Sequence, residues 1–388
     1  MMRAIYLPAV LRIGGGALAG LPAALNQIGV VAPFIVTDPF MAASGVLDRV
    51  LETLAVAGIT PRVFADGVPD PTAASVQAAL ATLRDGEHDC VIGLGGGSPI
   101  DTAKMVAVLA RHAVTPRQLR FPHIQDAPGL PVIAIPTTAG TGSEATKVTV
   151  ITDEATQEKM MCMGLAYLPR VAIVDFELTL SKPWRLTADT GLDALTHAIE
   201  AYVSKQASPF TDALALAAMR AIWRNVAVAC TEPANRAARE AMMLGALQAG
   251  MAFSNASVAL VHGMSRPIGA HFHVAHGLSN AMLLPAVTAW SIPGAERRYA
   301  ECARAMGVAP EGGADREAGL ALVAALQARN VELEVPTPAR HGIDPGRWTS
   351  LLSLMAEQAI ASGSPANNPR VPDVAAIMAL YREVWDRR

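Results

Sequence analysis

The first half of the chain alternates short apolar runs with stretches whose apolar residues recur at helical spacing. The apolar runs are rich in β-branched residues and predict buried strands at 32–38, 60–64, 90–94, 131–136, 148–153 and 170–175. Residues 44–57 and 72–85 repeat apolar side chains every three or four positions and predict helices. Because strands that alternate with helices usually form a parallel sheet, the pattern predicts an α/β domain.

Beyond Pro183 and Trp184 the pattern changes. Helical spacing dominates to the end of the chain, and strand-like runs nearly vanish. A chain of 388 residues is also too long for one typical hydrophobic core. We therefore predict two domains, an α/β domain over residues 1–184 and an all-helical domain over residues 185–388.

A glycine-rich loop joins the strand at 90–94 to a helical pattern. Gly95-Gly96-Gly97 comes first, and Ser98 suits the N-cap, Pro99 the first helical position and Asp101 the closure of a capping box. The glycines let backbone N–H groups approach a ligand, and the helix start attracts anions, with Lys104 one turn further. These features predict a pyrophosphate cradle, while an ordinary tight strand-to-helix turn is the alternative.

Other polar residues near strand ends are candidates for cofactor contacts. Asp38 ends an early strand, where dinucleotide-binding folds place the acid that hydrogen-bonds a ribose hydroxyl and repels a 2′-phosphate. An ordinary helix-capping or loop acid is the alternative for Asp38. A small, hydroxyl-rich loop follows the strand at 131–136, and its candidate contacts are Thr137, Thr138, Thr141 and Ser143, against the alternative of an ordinary polar loop. Lys159 is a further candidate, against the alternative of a solvated lysine.

Histidines are concentrated in the second half of the chain. Four of the nine lie within residues 261–277, namely His262, His271, His273 and His276. Histidines this dense in an apolar, helix-forming background indicate a metal site or proton chemistry. Pro267, Gly269 and Gly277 should break any continuous helix here, so we expect His262 and His276 on two facing elements. A core helix over 241–260 should end at His262.

A second polar cluster lies upstream. Asp193 and His197 are four residues apart, which places both on one face of a helix. A buried, hydrogen-bonded pair would explain this spacing equally simply. Together with His262 and His276 the pair would form a mixed oxygen and nitrogen ligand set, which suits Fe(II), Zn(II), Co(II) or Mn(II) and excludes a thiolate site. We interpret the two clusters as one metal site.

Composition narrows the class of protein. The net charge is −3, which gives no electrostatic argument for nucleic acid or an anionic membrane, and no apolar run reaches the length of a membrane span. The first residues lack the features of a signal peptide. The four cysteines are far apart, as expected of buried thiols in a reducing compartment. We expect a cytoplasmic protein with a small-molecule substrate.

Four long motifs in order resemble the iron-containing (group III) alcohol dehydrogenase family over essentially the whole chain. They are the glycine loop 95–104, the loop 136–144, the helix segment 193–200 and the histidine stretch 261–277. The resemblance implies a Rossmann-like N-terminal domain that binds NAD and an all-α C-terminal domain that binds Fe2+ or Zn2+, the fold shared with dehydroquinate synthase. It also implies a homodimer or larger homo-oligomer.

The resemblance assigns roles residue by residue. It implies reversible hydride transfer between nicotinamide and a small alcohol or aldehyde, hydroxy acids included. The implied metal ligands are Asp193, His197, His262 and His276. The implied cofactor contacts are Asp38, Gly96, Gly97, Ser98, Thr137, Thr138 and Lys159, and Asp38 favours NAD over NADP.

The chain departs from the family at Arg266, where many members carry a second histidine that is linked to proton transfer. Arginine is a poor general base, so the proton would pass to water, a ribose hydroxyl, His271 or His273. Arg266 could instead bind a substrate carboxylate in a bidentate pair. Arg266, His271 and His273 are therefore the candidate catalytic residues, and a purely structural role is the alternative for the two histidines.

Three other functions share parts of this pattern. A metal-free reductase of the maleylacetate-reductase type would share the fold, and a lyase resembling dehydroquinate synthase would share the nucleotide loop and the metal. A non-catalytic protein would bind NAD and turn over no alcohol. The complete set of four ligands favours the alcohol dehydrogenase.

Overall fold

The computed structural model describes residues 3–156 and 158–386. The chain folds as two compact units, Met1–Lys182 and Pro183–Arg388. The first unit is α/β and the second is helical, so the predicted fold class is confirmed. The predicted assignment of nucleotide binding to the first domain and metal binding to the second stays a proposal.

The strands of the first unit are β1 Val10–Ile13, β2 Pro33–Val36, β3 Arg62–Phe64, β4 Cys90–Gly95, β5 Val132–Pro136, β6 Val148–Asp153, β7 Glu158–Met163 and β8 Val171–Val174. Its helices are α1 Leu21–Ile28, α2 Pro39–Ala43, α3 Val46–Val56, α4 Ala73–Arg84 and α5 Gly97–Leu109. The predicted strands and helices of this half are therefore present, whereas β1 and β7 were not predicted.

Six strands form a parallel sheet in the order β1-β8-β5-β4-β2-β3. The four inner strands β8, β5, β4 and β2 are buried along their whole length, as expected of parallel strands covered on both faces, and the register sets Ile35 of β2 beside Ile92 of β4. From β2 the chain moves outward to β3 and then returns to the other side of β2 as β4. Parallel α/β sheets bind ligands where the strand order reverses, so the ends of β2 and β4 are the expected nucleotide site.

Residues 148–153 differ from the expectation. They were predicted as a buried strand of the main sheet, but β6 pairs with β7 in a separate antiparallel hairpin. Its side chains alternate between buried and half-buried positions, with Thr149 and Ile151 buried. Such alternation is typical of a strand with one face against the core rather than of a parallel strand that is covered on both faces.

The helices of the second unit are α6 Trp184–Val203, α7 Pro209–Thr231, α8 Arg236–Ala256, α9 Leu260–Phe272, α10 His276–Ser291, α11 Glu296–Met306, α12 Asp315–Glu332, α13 Pro345–Ala361 and α14 Val374–Val384. The buried helix α6 packs against α7, α8 and α10. By length and composition α7 could cross a membrane, as could the pair α8 and α9 if it formed one span bent by 104°. A core helix of a soluble protein passes the same test, so this finding carries no argument for a membrane.

Helix boundaries near the histidines required correction. The helix predicted over 241–260 ends at Ala256, where Ser257 takes a positive φ of 84°, and α9 begins before His262. Pro267 was expected to break the next helix, but α9 runs through it. Tertiary contacts hold α9 in place, since Tyr381 Oη donates to the carbonyl of Met264 at 2.6 Å. The break comes at His273, so His262 and His276 do lie on separate helices.

Candidate functional site

Four side chains of the second unit converge on one point. Each of Asp193, His197, His262 and His276 offers one ligand atom, and these atoms all lie within 4.8 Å of one another. From Asp193 Oδ1 the Nε2 atom of His262 lies 3.4 Å away, that of His276 3.7 Å and that of His197 3.9 Å. One carboxylate oxygen therefore faces three imidazole nitrogens.

The helices explain this convergence. Asp193 and His197 lie one turn apart on the buried helix α6, His262 lies in the first turn of α9, and His276 begins α10. Gly277 allows α10 to approach α6 closely, because a Cβ at this position would lie 2.3 Å from the carbonyl oxygen of Asp189. The three helices therefore bring together ligands that are far apart in sequence.

Neighbouring polar groups orient the histidines. Glu200, on α6, accepts hydrogen bonds from Nδ1 of His262 at 2.6 Å and from the backbone N–H of Val261 at 2.6 Å. With its proton on Nδ1, His262 presents the lone pair of Nε2 to the cluster. Ser265 Oγ lies 3.3 Å from Nδ1 of His276. His197 stacks between the rings of Phe253 and His262, with centroids 4.2 and 4.4 Å away.

The charges in the cluster favour an ionised Asp193 and a neutral His197, whereas at His262 burial is outweighed by the neighbouring carboxylates Asp193 and Glu200, which raise its pKa. Burial would raise the pKa of Asp193, but the neighbouring imidazoles His197, His276 and His262 outweigh it and hold this pKa well below its usual range. Burial lowers the pKa of His197 to about 3. An ionised carboxylate and a neutral imidazole are the forms that bind metal.

The residues present fit a divalent metal ion. The donors are one carboxylate oxygen and three imidazole nitrogens, a set that Fe(II) and Zn(II) accept, and a second carboxylate supports a ligating histidine. Asn280 adjoins the donors, with Nδ2 at 2.7 Å from Asp193 Oδ1 and 3.1 Å from His262 Nε2. Its Oδ1 is buried and has no hydrogen-bond partner among the described residues.

Sequence reasoning missed Glu200, Ser265 and Asn280 as parts of this site. Glu200 could have been found, because it lies seven residues after Asp193 and hence on the same face of one helix. Asn280 similarly follows His276 by one turn. Ser265 gives no signal, since a serine near a histidine is common in a buried helix.

The three candidate catalytic residues occupy different environments. Arg266 follows His262 by one turn on α9, and its Nη1 donates to Ser364 Oγ at 2.9 Å. Burial lowers the pKa of the Arg266 guanidinium to about 10, so it is a cation near neutral pH. His271 Nε2 lies 2.8 Å from Gln358 Oε1, and His273 is exposed and ends α9 at a φ of 56°. Neither of these two belongs to the four-residue cluster.

In the first unit the glycine loop lies where β4 and β2 end. Gly95 has a φ of 144°, and a Cβ there would lie 2.7 Å from the ring of Pro99, so only glycine fits. The predicted capping box is wrong, because α5 begins at Gly97 with Gly96 as its N-cap and no side-chain cap. The helix starts too early for Ser98 to cap it, and Ser98 Oγ accepts instead from the backbone N–H of Asp70 at 3.3 Å.

Two residues of the same motif hold the neighbouring loop in place. Asp101 accepts from Ser143 Oγ at 2.6 Å and from the N–H of Val150 at 2.8 Å. Lys104 was expected near a phosphate, but it is fully buried, and its Nζ donates to the carbonyls of Thr146 and Val148. Both residues therefore fasten α5 to the segment that leads into β6.

The other predicted cofactor contacts surround the glycine loop. Thr138 lies 3.6 Å from a Cβ built on Gly96, and its Oγ1 is buried without a hydrogen-bond partner among the described residues. Thr141 similarly packs against Gly97, at 3.0 Å from a built Cβ. Such glycines leave a cradle that a side chain would fill.

Three more candidates adjoin this cradle. Asp38 caps α2 by accepting from Met41 N at 2.9 Å, and its Oδ2 lies 3.4 Å from a Cβ built on Gly95. Thr137 is buried, and its N–H donates to the carbonyl of Gly95 at 2.8 Å. Lys159 Nζ pairs with Asp70 at 2.8 Å, next to Ser98. The structure thus places the predicted contacts around one edge of the sheet.

Two family sequence patterns match this chain. Residues 8–176 match the pattern described as iron-containing alcohol dehydrogenase, and residues 187–385 match the C-terminal pattern of the Fe-containing alcohol dehydrogenase family. The chain belongs to the iron-containing alcohol dehydrogenase family. Membership confirms the resemblance that the motifs indicated and the prediction of an alcohol dehydrogenase.

Individual relatives agree with this membership. Long-chain-alcohol dehydrogenase 1 of Geobacillus thermodenitrificans is 43% identical over 306 residues, which cover 78% of this chain and 77% of the relative. NAD-dependent methanol dehydrogenase of Bacillus methanolicus is 35% identical over 98% of this chain and 99% of its own. The crystal structure of a 1,3-propanediol oxidoreductase superposes with a TM-score of 0.94 at 34% identity, covering 99% of this chain and 100% of that chain.

Proposed function

We propose that this member of the iron-containing alcohol dehydrogenase family transfers hydride reversibly between NAD(H) and a small alcohol or aldehyde. The observation that carries the proposal is the cluster of Asp193, His197, His262 and His276, of which all but His276 are buried. The name of the Bacillus methanolicus relative, an NAD-dependent methanol dehydrogenase, supports the cofactor and the substrate class. The four ligands would hold Fe2+ or Zn2+.

Each residue of the proposed metal site would make a different contribution. A bound divalent ion supplies Lewis acidity toward an alcohol oxygen. Asp193 contributes the one anionic oxygen of the donor set, and the three imidazoles contribute neutral nitrogens. Glu200 keeps the Nδ1 proton on His262, so that Nε2 stays available.

The nucleotide contacts in the first unit are also proposals. Backbone N–H groups of Gly95, Gly96, Gly97 and Ser98 at the start of α5 would hold the pyrophosphate. Asp38 would accept a hydrogen bond from the adenosine ribose, and Lys159 would lie beside the nucleotide. The hydroxyl of Thr138, which has no hydrogen-bond partner among the described residues, would donate to the same ligand, with Thr137 and Thr141 next to it. Asp101 and Ser143 would position that loop through their hydrogen bond.

We base the proposed substrate class on Arg266. Its guanidinium is a cation on the helix that carries His262, one turn further along. An arginine there pairs well with a carboxylate and accepts no proton, so we propose substrates that carry an acidic group, such as hydroxy acids. His271 or His273 would then pass the proton between the site and water.

The Arg266 assignment has its own test. Arg266→Ala should lower kcat/KM for an acidic alcohol at least about tenfold, and that for a neutral alcohol of similar size much less. Arg266→Lys keeps the charge and should recover part of the preference. An unchanged ratio of acidic to neutral substrates in Arg266→Ala would exclude the role.

We also propose that the protein is cytoplasmic and assembles as a homodimer or larger homo-oligomer. The four cysteines are free and buried, which suits a reducing compartment. Light scattering and sedimentation would measure the assembly directly, and a monomer at micromolar concentration would contradict it.

Reconstitution tests the function as a whole. Protein loaded with Fe(II) or Zn(II) is offered a panel of alcohols and aldehydes while the absorbance of NADH is followed. We expect turnover that a chelator abolishes and that His276→Ala lacks. Turnover that survives chelation would indicate a metal-free reductase, and nucleotide binding without net change in NADH would indicate a lyase or a sensor.

A further inference from the structure

We propose that Lys182 sets how strongly the nucleotide site discriminates between NAD and NADP, by placing a cation next to the acid that would read the ribose. The inference rests on the proposed function, in which Asp38 faces the adenosine ribose. Asp38 alone predicts strong rejection of a 2′-phosphate. With Lys182 beside it, the chain should accept NADP better than an isolated acid would allow.

The position of Lys182 carries the first step. Its side chain is buried at 5% exposure, and Nζ lies 3.9 Å from Met41 Sδ and 4.8 Å from the centre of the Phe40 ring. Both residues belong to α2, the short helix that Asp38 caps through Met41 N. The ammonium group is therefore held against the same helix turn as the Asp38 carboxylate.

The orientation of Asp38 carries the second step. One oxygen accepts the Met41 N–H, and the other lies 3.4 Å from a Cβ built on Gly95, at the edge of the glycine loop. The carboxylate thus faces the loop that would hold the pyrophosphate, and Lys182, from the loop before α6, packs against the helix that Asp38 caps. A ligand phosphate beside Asp38 would meet an acid and a cation together.

Lys182 is charged where the nucleotide would bind. Burial lowers its pKa to about 8, and the Asp38 carboxylate opposes that change. The side chain therefore remains largely protonated at neutral pH. A fixed, poorly solvated cation acts on a dianionic phosphate more strongly than on a neutral ribose hydroxyl, so its removal should alter NADP binding selectively.

The test measures equilibrium binding of NADH and NADPH by fluorescence, on protein without metal or substrate. Lys182→Met should raise the ratio of the NADPH to the NADH dissociation constant about tenfold, with NADH binding changed by less than about threefold. Lys182→Arg keeps the charge and should retain the wild-type ratio. Lys147→Met is the matched control, since it removes another lysine held over an aromatic ring, that of Tyr6 at 5.0 Å.

The outcomes separate this inference from the proposed function. An unchanged ratio in Lys182→Met, with both nucleotides still bound, overturns the role of Lys182 and leaves the dehydrogenase standing. If wild-type protein binds neither nucleotide, the proposed function fails and this inference falls with it. If Lys182→Met is unstable, Lys182→Gln gives the same comparison. Equal loss of NADH and NADPH binding in the Met, Gln and Arg variants would show that Lys182 has a purely structural role.

Discussion

Replacing Glu200 with glutamine should weaken metal binding without touching a ligand. Glu200 receives the Nδ1 proton of His262 at 2.6 Å and the N–H of Val261 at 2.6 Å. In Glu200→Gln one amide oxygen can serve only one of these donors, and the amide NH2 faces the other. If that NH2 faces Nδ1 of His262, the histidine can relieve the clash by moving its proton to Nε2, which turns a ligand atom into a donor.

The expected loss of metal affinity follows from the position of this one proton on His262. Loss of a group that orients a metal-binding histidine typically lowers metal affinity 10–100-fold, or about 1.4–2.7 kcal/mol. A buried amide N–H without an acceptor costs about a further 1 kcal/mol of folding stability. We therefore expect a folded protein with a small loss of thermal stability and a large loss of metal affinity.

Competition with a chromophoric chelator for Zn(II) and Co(II) measures the affinity, and thermal unfolding of metal-free protein measures the stability. Glu301→Gln is the matched control in the same unit, because Glu301 accepts from Tyr202 Oη at 2.5 Å and is not part of the cluster. Metal affinity within twofold of wild type in Glu200→Gln, with the control also unchanged, would refute the orienting role.

Three further predictions address packing and protonation. Gly277→Ala should lower metal affinity and stability together, by roughly 2–4 kcal/mol in stability, because the new Cβ would lie 2.3 Å from Asp189 O; chemical denaturation and chelator competition would detect both. Gly95→Ala should reduce NADH binding more than about tenfold while leaving metal content intact, since its φ of 144° and the contact with Pro99 admit no side chain; fluorescence titration and metal analysis separate the two effects. Burial raises the pKa of Glu144 to about 7 in the folded chain, from an ordinary value of 4.5, so the folded state holds the proton more tightly. Stability should therefore fall as pH rises between these two values, and Glu144→Gln should flatten that slope and gain on the order of 2 kcal/mol near neutral pH, whereas parallel pH profiles of unfolding free energy would contradict the assignment.

The pattern of apolar residues predicted the strands of the α/β half well, because its inner strands are short continuous apolar runs. A parallel sheet covered on both faces needs continuous apolar runs, and β4 and β5 consist of such runs. Strand β6 was misassigned because its length and β-branched residues match those of a sheet strand. Only its partner distinguishes it, and pairing between strands is a tertiary property.

Helix ends were less predictable than helix positions. Pro267 removes one N–H and should disturb α9, yet the surrounding helices keep this segment helical. Ser98 and Asp101 match a capping box at the right spacing, but Gly97 is itself helical, so α5 starts before Ser98. In both places the packing of the surrounding residues, rather than the local sequence, determined where the helix begins or continues.

The candidate metal site shows which part of a site a sequence can reveal. Candidate ligands can be proposed from residue type and spacing, as with Asp193 and His197, which share one face of a helix. Glu200 fixes the proton of His262, which lies 62 residues away, so this contact cannot be read from the sequence. Glu200 itself can be noticed only because it lies on the same helix as Asp193 and His197. Arg266 shows the converse, because its departure from the family pattern is plain in the sequence, whereas its half-buried position and its bond to Ser364, 98 residues away, appear only in the fold. If Arg266 binds the substrate as we propose, its replacement changes substrate preference without changing the ligand set, so substrate preference in this chain should vary independently of metal binding.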